Sequence, residues 1–281
     1  MNVRPLTPAL QKKAEEELNE KPERILEDLN TFKTWIADHP NLKSIKLPDQ
    51  WLMAFLRGSK YNFDKCKSKF ERYYALKTEF PELFANRDPL HPKIQELLKL
   101  GIYLPLRKCV KEDSPRICLS RISLLQSAGM TLLDITKIGF MIVEIMLLED
   151  DNFTVAGQEV VCDLKDVGIR ILSQWTPSFA KKIVVCSERA LSVRLKSVHV
   201  VNAPRGIKWV IAIFKIFIGA KMKSRISVYD ANSVEVYNVV PKSILPVEFG
   251  GEDGSVQELI DYWKAKVESY RDWFLECEIP C

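Results

Sequence analysis

The chain has 281 residues, 47% of them hydrophobic and 28% charged, and a formal net charge of +4, which describes an ordinary soluble globular protein of one large or two smaller domains. The opening MNVRPLTPALQKKAEEELNE has no apolar stretch of signal-peptide type, and the seven cysteines form no CxxC pair and no zinc spacing. No secretory signal and no thiolate metal site are therefore expected, and the irregular cysteines suit reduced thiols in the cytosol. No lipidation signature stands at either end, so any membrane contact should be peripheral and reversible.

The first ~90 residues read as short helices. Thr7-Pro8 supplies a cap and a first-turn proline for ALQKKAEEELNE. Pro22 opens ERILEDLNTFKTWIADH, whose Ile25, Leu29, Phe32, Trp35 and Ile36 form a stripe that stops before Pro40. Pro48-Asp49 starts QWLMAFLRG, ended by Gly58, and Asn62 or Asp64 caps DKCKSKFERYYALKTEF. A boundary is expected in the proline-marked 86–92 segment. Beyond it, candidate strands at 102–106, 116–122, 158–164, 197–202 and 225–230 alternate with helical runs at 131–150, 177–190 and 206–220. A last helix should run from Ser255 to about Phe274. Such alternation predicts an α/β fold, a mixed or parallel sheet flanked by helices.

The most informative stretch is IKWVIAIFKIFIGA, 207–220, where only Lys208 and Lys215 interrupt an apolar run. At ~1.5 Å per residue it spans roughly 21 Å, too short for a ~30 Å bilayer core. A helix apolar on several faces must be buried, or must meet a membrane or an oily ligand for part of its life. Its surroundings are strongly basic: from 181 to 225, eleven Lys and Arg oppose the single acid Glu188, whereas from 226 to 281 four bases oppose eleven acids. Greasy and basic together are what an anionic membrane surface selects.

Catalytic chemistry has no visible carrier. His39, His91 and His199 lack companions at ligand spacing, and no HExxH, GxSxG, Walker-A or GxGxxG pattern occurs. Glu149-Asp150-Asp151 reads as a solvated turn at a helix end, and no metal is expected there. The bases around Phe70–Tyr74 are interleaved with acids and accompany no RNA- or DNA-binding motif, so no nucleic-acid partner is expected.

Three segments carry a resemblance. LMAFLRGSKYNFDKCKSKFERYY (52–74), CDLKDVGIRILSQWTPSFAKKIVVCSERALSVRLKSVHVVNAP (162–204), and FKIFIGAKMKSRISVYD with ILPVEFGGE (244–252) resemble, in this order, the CRAL-TRIO (Sec14-like) lipid-binding family. The pattern is nearest to its tocopherol- and retinaldehyde-carrying branch. The resemblance implies an N-terminal helical domain over 1–92 and a lipid-binding domain over 93–281. In that domain a sheet-floored cavity lies under a mobile lid, 203–221.

Carried over by position, the resemblance implies that Ile207, Val210, Phe214 and Ile218 line the closed lid. Gly139, Val143, Cys162, Ile169, Ile183, Cys186, Val193, Leu195 and Val198 would supply walls and floor. Arg194, Lys196, Lys221 and Arg225 would take phosphoinositide headgroups, and Arg57 would be a structural ion-pair former. The implied function is a cytosolic, non-enzymatic carrier that uses no cofactor. It would enclose one hydrophobic small molecule, such as tocopherol, a retinoid or a carotenoid, and exchange it at anionic membranes. Val193 stands where phosphatidylinositol carriers place a glutamate, Gly139 and Val143 replace small polar residues, and Ile216 replaces the lid's usual proline. A lipid-sensing regulator or scaffold, a phosphatidylinositol-type phospholipid carrier and a lipid-modifying enzyme are the alternatives.

Overall fold

Proline and asparagine punctuation sets the N-terminal helices. A computed structural model describes residues 3–276 apart from 46, 128 and 231–235. It begins with α1 (Pro8–Leu18), α2 (Ile25–Asp38), α3 (Asp49–Gly58), α4 (Phe63–Glu79) and the one-turn α5 (Pro81–Phe84). Thr7 accepts from the Leu10 N–H at the start of α1, and Asn62, the first of the two expected caps, accepts from the Lys65 N–H at the start of α4. Helix α6 (Pro92–Leu100) has no counterpart in the sequence reading. His91 caps it, Pro92 takes its first position, and Gly101 ends it in the left-handed region at φ 60°.

Five strands follow in chain order across one sheet: β1 (Tyr103–Pro105), β2 (Arg116–Arg121), β3 (Gln158–Asp163), β4 (Leu195–Ala203) and β5 (Ile226–Asp230). β1 pairs with β2 antiparallel, and every later pair is parallel. Parallel neighbours require crossover connections, and helices supply them. From β2 to β3 run α7 (Leu124–Ser127), α8 (Leu132–Glu149) and a π turn, Asn152–Ala156. From β3 to β4 run α9 (Ile169–Leu172), α10 (Pro177–Val184) and a second π turn, Val185–Ala190. From β4 to β5 run α11 (Ile207–Phe217) and α12 (Ala220–Lys223). The chain continues through α13 (Val236–Val239), α14 (Val256–Ser269) and α15 (Arg271–Glu276). The single expected C-terminal helix is thus two, separated at Tyr270, whose hydroxyl donates to Glu149 at 2.7 Å.

One apolar cluster runs through the molecule from Leu29, Phe32 and Phe55 in the N-terminal helices to Val161, Val201 and Val267. Helix α1 stands outside it, with Leu10, Ala14 and Leu18 packed on Val155 and Ala156 as a separate small cluster. Two buried ion pairs brace the helical layer, Arg57 with Glu20 at 2.8 Å and Arg87 with Glu144 at 2.6 Å. The acidic triplet is not a solvated turn. Glu149 binds Lys266, Asp150 binds Arg116 and Asp151 binds Arg4, so three carboxylates tie the C-terminal helix, the sheet and the N-terminus to the end of α8. Each carboxylate already has a cationic partner, and no group of ligating side chains among the described residues could hold a metal ion. No described helix is long and apolar enough to cross a membrane.

Candidate functional site

Helix α11 starts where Gly206, at φ 96°, turns the chain sharply out of β4, a backbone setting open to glycine without strain. No proline interrupts it, and it runs as continuous α-helix to Phe217 before Ile218 turns extended. Burial divides it lengthwise. Ile207, Val210 and Ile213 are turned into the protein, whereas Trp209 and Ile216 are 54% and 71% exposed. Ile213 is buried too, and Phe214 packs half-buried against the same core as Ile207 and Val210, with its ring 5.1 Å from Trp175. Trp175 in turn meets Phe179 of α10 at 5.3 Å, so α11 rests edge-on against an aromatic ledge. Ile218 is buried but lies past the helix end.

Strand register builds an apolar floor. Cys118, Val160, Val198 and Ile226 form one lateral row, and Ser120, Cys162, Val200 and Val228 form the next on the same face. Val160, Cys162, Val198 and Ile226 keep part of their surface accessible. Burial nevertheless pushes the Cys162 thiol up to about 12, against the opposing hydrogen bond with Ser120. Apolar surface is thus left accessible on this face of the sheet, with Cys162 desolvated within it. On α8, a Cβ added to Gly139 would meet nothing within 4 Å, and Val143 one turn later is buried.

Of the expected lining residues, Val143, Cys186, Ile207 and Val210 belong to the continuous core. Cys162, Ile183, Val193, Val198 and Phe214 pack half-buried against it. Leu195 is half-buried on β4. Ile169 departs from expectation: it is 80% exposed, because the single turn of α9 directs Ile171 and Leu172 inward instead. Two grooves of about 820 and 810 Å³ open to solvent on the faces of α2 and α4, and none of the expected lining residues borders either.

The four expected cations are not equivalent. Lys221 is exposed on α12. Arg225 donates to the Leu195 carbonyl, which clamps the chain after α12 onto β4. Arg194 and Lys196 are both held by Glu17 of α1, at 2.7 and 3.1 Å, and Arg194 also donates to the Val155 carbonyl. Gly157, at φ 100°, permits this close approach, since any Cβ there would lie 2.3 Å from the Arg194 carbonyl oxygen. Burial works to raise the Glu17 carboxyl, but the hydrogen bonds from Arg194 and Lys196 outweigh it and hold the group at about 2. Burial and Arg194 lower Lys196. No spacing in the sequence marks Glu17, which meets its partners across more than 170 residues.

Comparison with known proteins agrees with this architecture. The profile of the CRAL/TRIO domain matches residues 109–251, and that of the Pinta-like UBA domain matches residues 21–94. The chain is 29% identical over 272 residues to the human alpha-tocopherol transfer protein-like protein, covering 96% of this chain and 78% of that one. It is 24% identical over 246 residues to human clavesin-2, covering 88% and 75%. Among solved structures, Sfh5 superposes with a TM-score of 0.50 at 14% identity, over 91% of this chain and 92% of that one, a likeness of fold.

Proposed function

The chain belongs to the CRAL-TRIO family of lipid-binding transfer proteins, and from that premise we propose that it carries one hydrophobic small molecule and exchanges it at phosphoinositide-bearing membranes by swinging α11. The ligand class we favour is an isoprenoid lipid of tocopherol, retinoid or carotenoid type. A relative named for alpha-tocopherol transfer supports that class. Val193, in place of an acidic residue, speaks against a cargo with an inositol head. The observation that carries the reading is the two-sided apolar character of α11. Its inner row is buried, while Trp209 and Ile216 face outward among Lys208, Lys215 and Lys221.

The energetics fit. Moving a lipid of twenty carbons through water at ~0.8 kcal/mol per exposed CH₂ would cost well over 10 kcal/mol. Enclosure removes most of that penalty. At a membrane, the same inner row of α11 can turn toward acyl chains, so opening need not expose it to water. Lysines around the helix add ~1 kcal/mol each near an anionic leaflet before screening by salt. We assign no catalytic step to the chain, and a cytosolic carrier that visits membranes is the setting the reading requires.

Mass spectrometry of an organic extract of the native protein tests the cargo, and a bound isoprenoid is the expected result. Trp209→Ala with Ile216→Ala tests the docking face. Both side chains are largely outside the core, so the variant should keep its thermal stability yet transfer ligand to phosphoinositide vesicles at least fivefold more slowly, about 1 kcal/mol of lost surface affinity. Transfer at the wild-type rate would refute docking through α11.

A further inference from the structure

Helix α1 lies on the cation pair that the docking reading needs, and the inference that follows rests on that reading. Glu17 sits in the last turn of α1 and bridges Arg194 and Lys196, while Lys13, one turn earlier, binds Asp113 at 3.1 Å and lies 3.8 Å from Glu17. Arg225, which follows the lid, donates to the carbonyl of Leu195, the residue between those two cations. The pair is thus a direct neighbour of the chain that leaves α12. Helix α1 is separate from the main core and is seated by its own small cluster of Leu10, Ala14, Leu18, Val155 and Ala156. A phosphomonoester offers the same cations up to two negative charges and three acceptor oxygens, against one charge and two oxygens for a carboxylate.

We propose that Glu17 is an internal stand-in for a lipid headgroup. In solution it occupies Arg194 and Lys196, and at a membrane a phosphomonoester-bearing headgroup displaces it and releases the end of α1 beside the lid. The helix then acts as a latch that keeps the strongest part of the basic patch covered until the correct surface is reached. Anionic lipids without a phosphomonoester lack the extra charge and compete less well.

The test uses the full-length protein and phosphatidylcholine vesicles carrying either phosphatidylinositol bisphosphate or phosphatidylglycerol at equal surface charge. Glu17→Gln should bind the bisphosphate vesicles about threefold or more tightly than wild type, the release of an ion pair only partly shielded from solvent. Glu16→Gln is the control for lost charge, since Glu16 lies one residue away, 65% exposed, near Lys12 and off the patch. It should change binding by less than about 1.5-fold. In a background carrying both Arg194→Ala and Lys196→Ala, which removes the two cations that Glu17 covers, Glu17→Gln should add nothing. In wild type, amide exchange across α1 should quicken on bisphosphate vesicles and stay slow on phosphatidylglycerol, a readout that needs no variant. Equal effects of the two glutamine substitutions, a gain that persists without both Arg194 and Lys196, or exchange in α1 that ignores the bisphosphate would each overturn the latch. If Lys221→Ala weakens binding while Glu17→Gln does not strengthen it, docking stands and the latch falls. If no form of the protein binds any anionic vesicle, both fall together.

Discussion

Arg57 and Glu17 show two ways in which a single side chain holds this molecule. The Arg57–Glu20 pair is buried on both sides, and Tyr61 donates to the same carboxylate at 2.9 Å. Arg57→Ala would leave the Glu20 carboxyl buried without its cation, and should destabilise the fold by about 3–5 kcal/mol in urea unfolding. Arg57→Lys should recover only part of that, because a single ammonium cannot reproduce the paired bonds from Nε and Nη2. Glu17 is the milder case, being more than a third exposed. Its carboxyl is held at about 2 instead of the ordinary 4.5, so its contribution to stability is complete above the higher value and fades as pH falls toward the lower. The melting temperatures of wild type and Glu17→Gln should differ by about 1–3 °C at pH 6 and draw together as pH falls from about 5 toward 2. Arg57 was legible in the sequence because it sits in a recognisable local string. Glu17 was not, because long-range pairing leaves no trace in local spacing.

Among the elements, the strands were the most legible, since runs such as QEVVCDL and RICLSRI are bounded by polar residues and rich in β-branched or bulky side chains. Every expected strand lies in the sheet to within two residues at either end. Helix α6 went unread although its His91-Pro92 start and Gly101 stop are ordinary signals, because the prolines around it suggested a linker. The inward face of α11 is harder to read, because in a run where nearly every residue is apolar, periodicity cannot choose between Ile213 and Phe214. Both are at least half-buried, and Phe214 packs on the core and on the aromatic ledge. Under the proposed exchange, that ledge should set the opening rate. Trp175→Ala removes the ring against Phe214, a contact contributing ~0.5–1.5 kcal/mol beyond burial, and should speed spontaneous ligand release about threefold to tenfold in a fluorescence-exchange assay. Ile216→Ala alone should leave that rate unchanged, since its side chain faces outward.

At the scale of the whole molecule, one apolar cluster runs across the boundary between the expected domains, 1–92 and 93–281. Phe84 stacks on Phe140 at 5.6 Å, and Gly58 at the end of α3 lies so close to Ser192 that a Cβ would come within 2.6 Å of its carbonyl oxygen. We expect full-length protein to melt in a single calorimetric transition, and fragment 93–281 alone to aggregate through the face that Phe84 and its neighbours cover. A different consequence comes from where α11 sits in the topology. As the crossover between β4 and β5, it is wired into the sheet at both ends. Under the proposed exchange, a helix mounted in this way can pivot but never detach, so its travel would be bounded by the short connectors at 204–206 and 218–219. Deleting it would not leave an open vessel, because β5 would lose its route to the sheet and the vessel its side. Selection for faster emptying must therefore act on the pivots and the ledge, with the swinging piece itself retained.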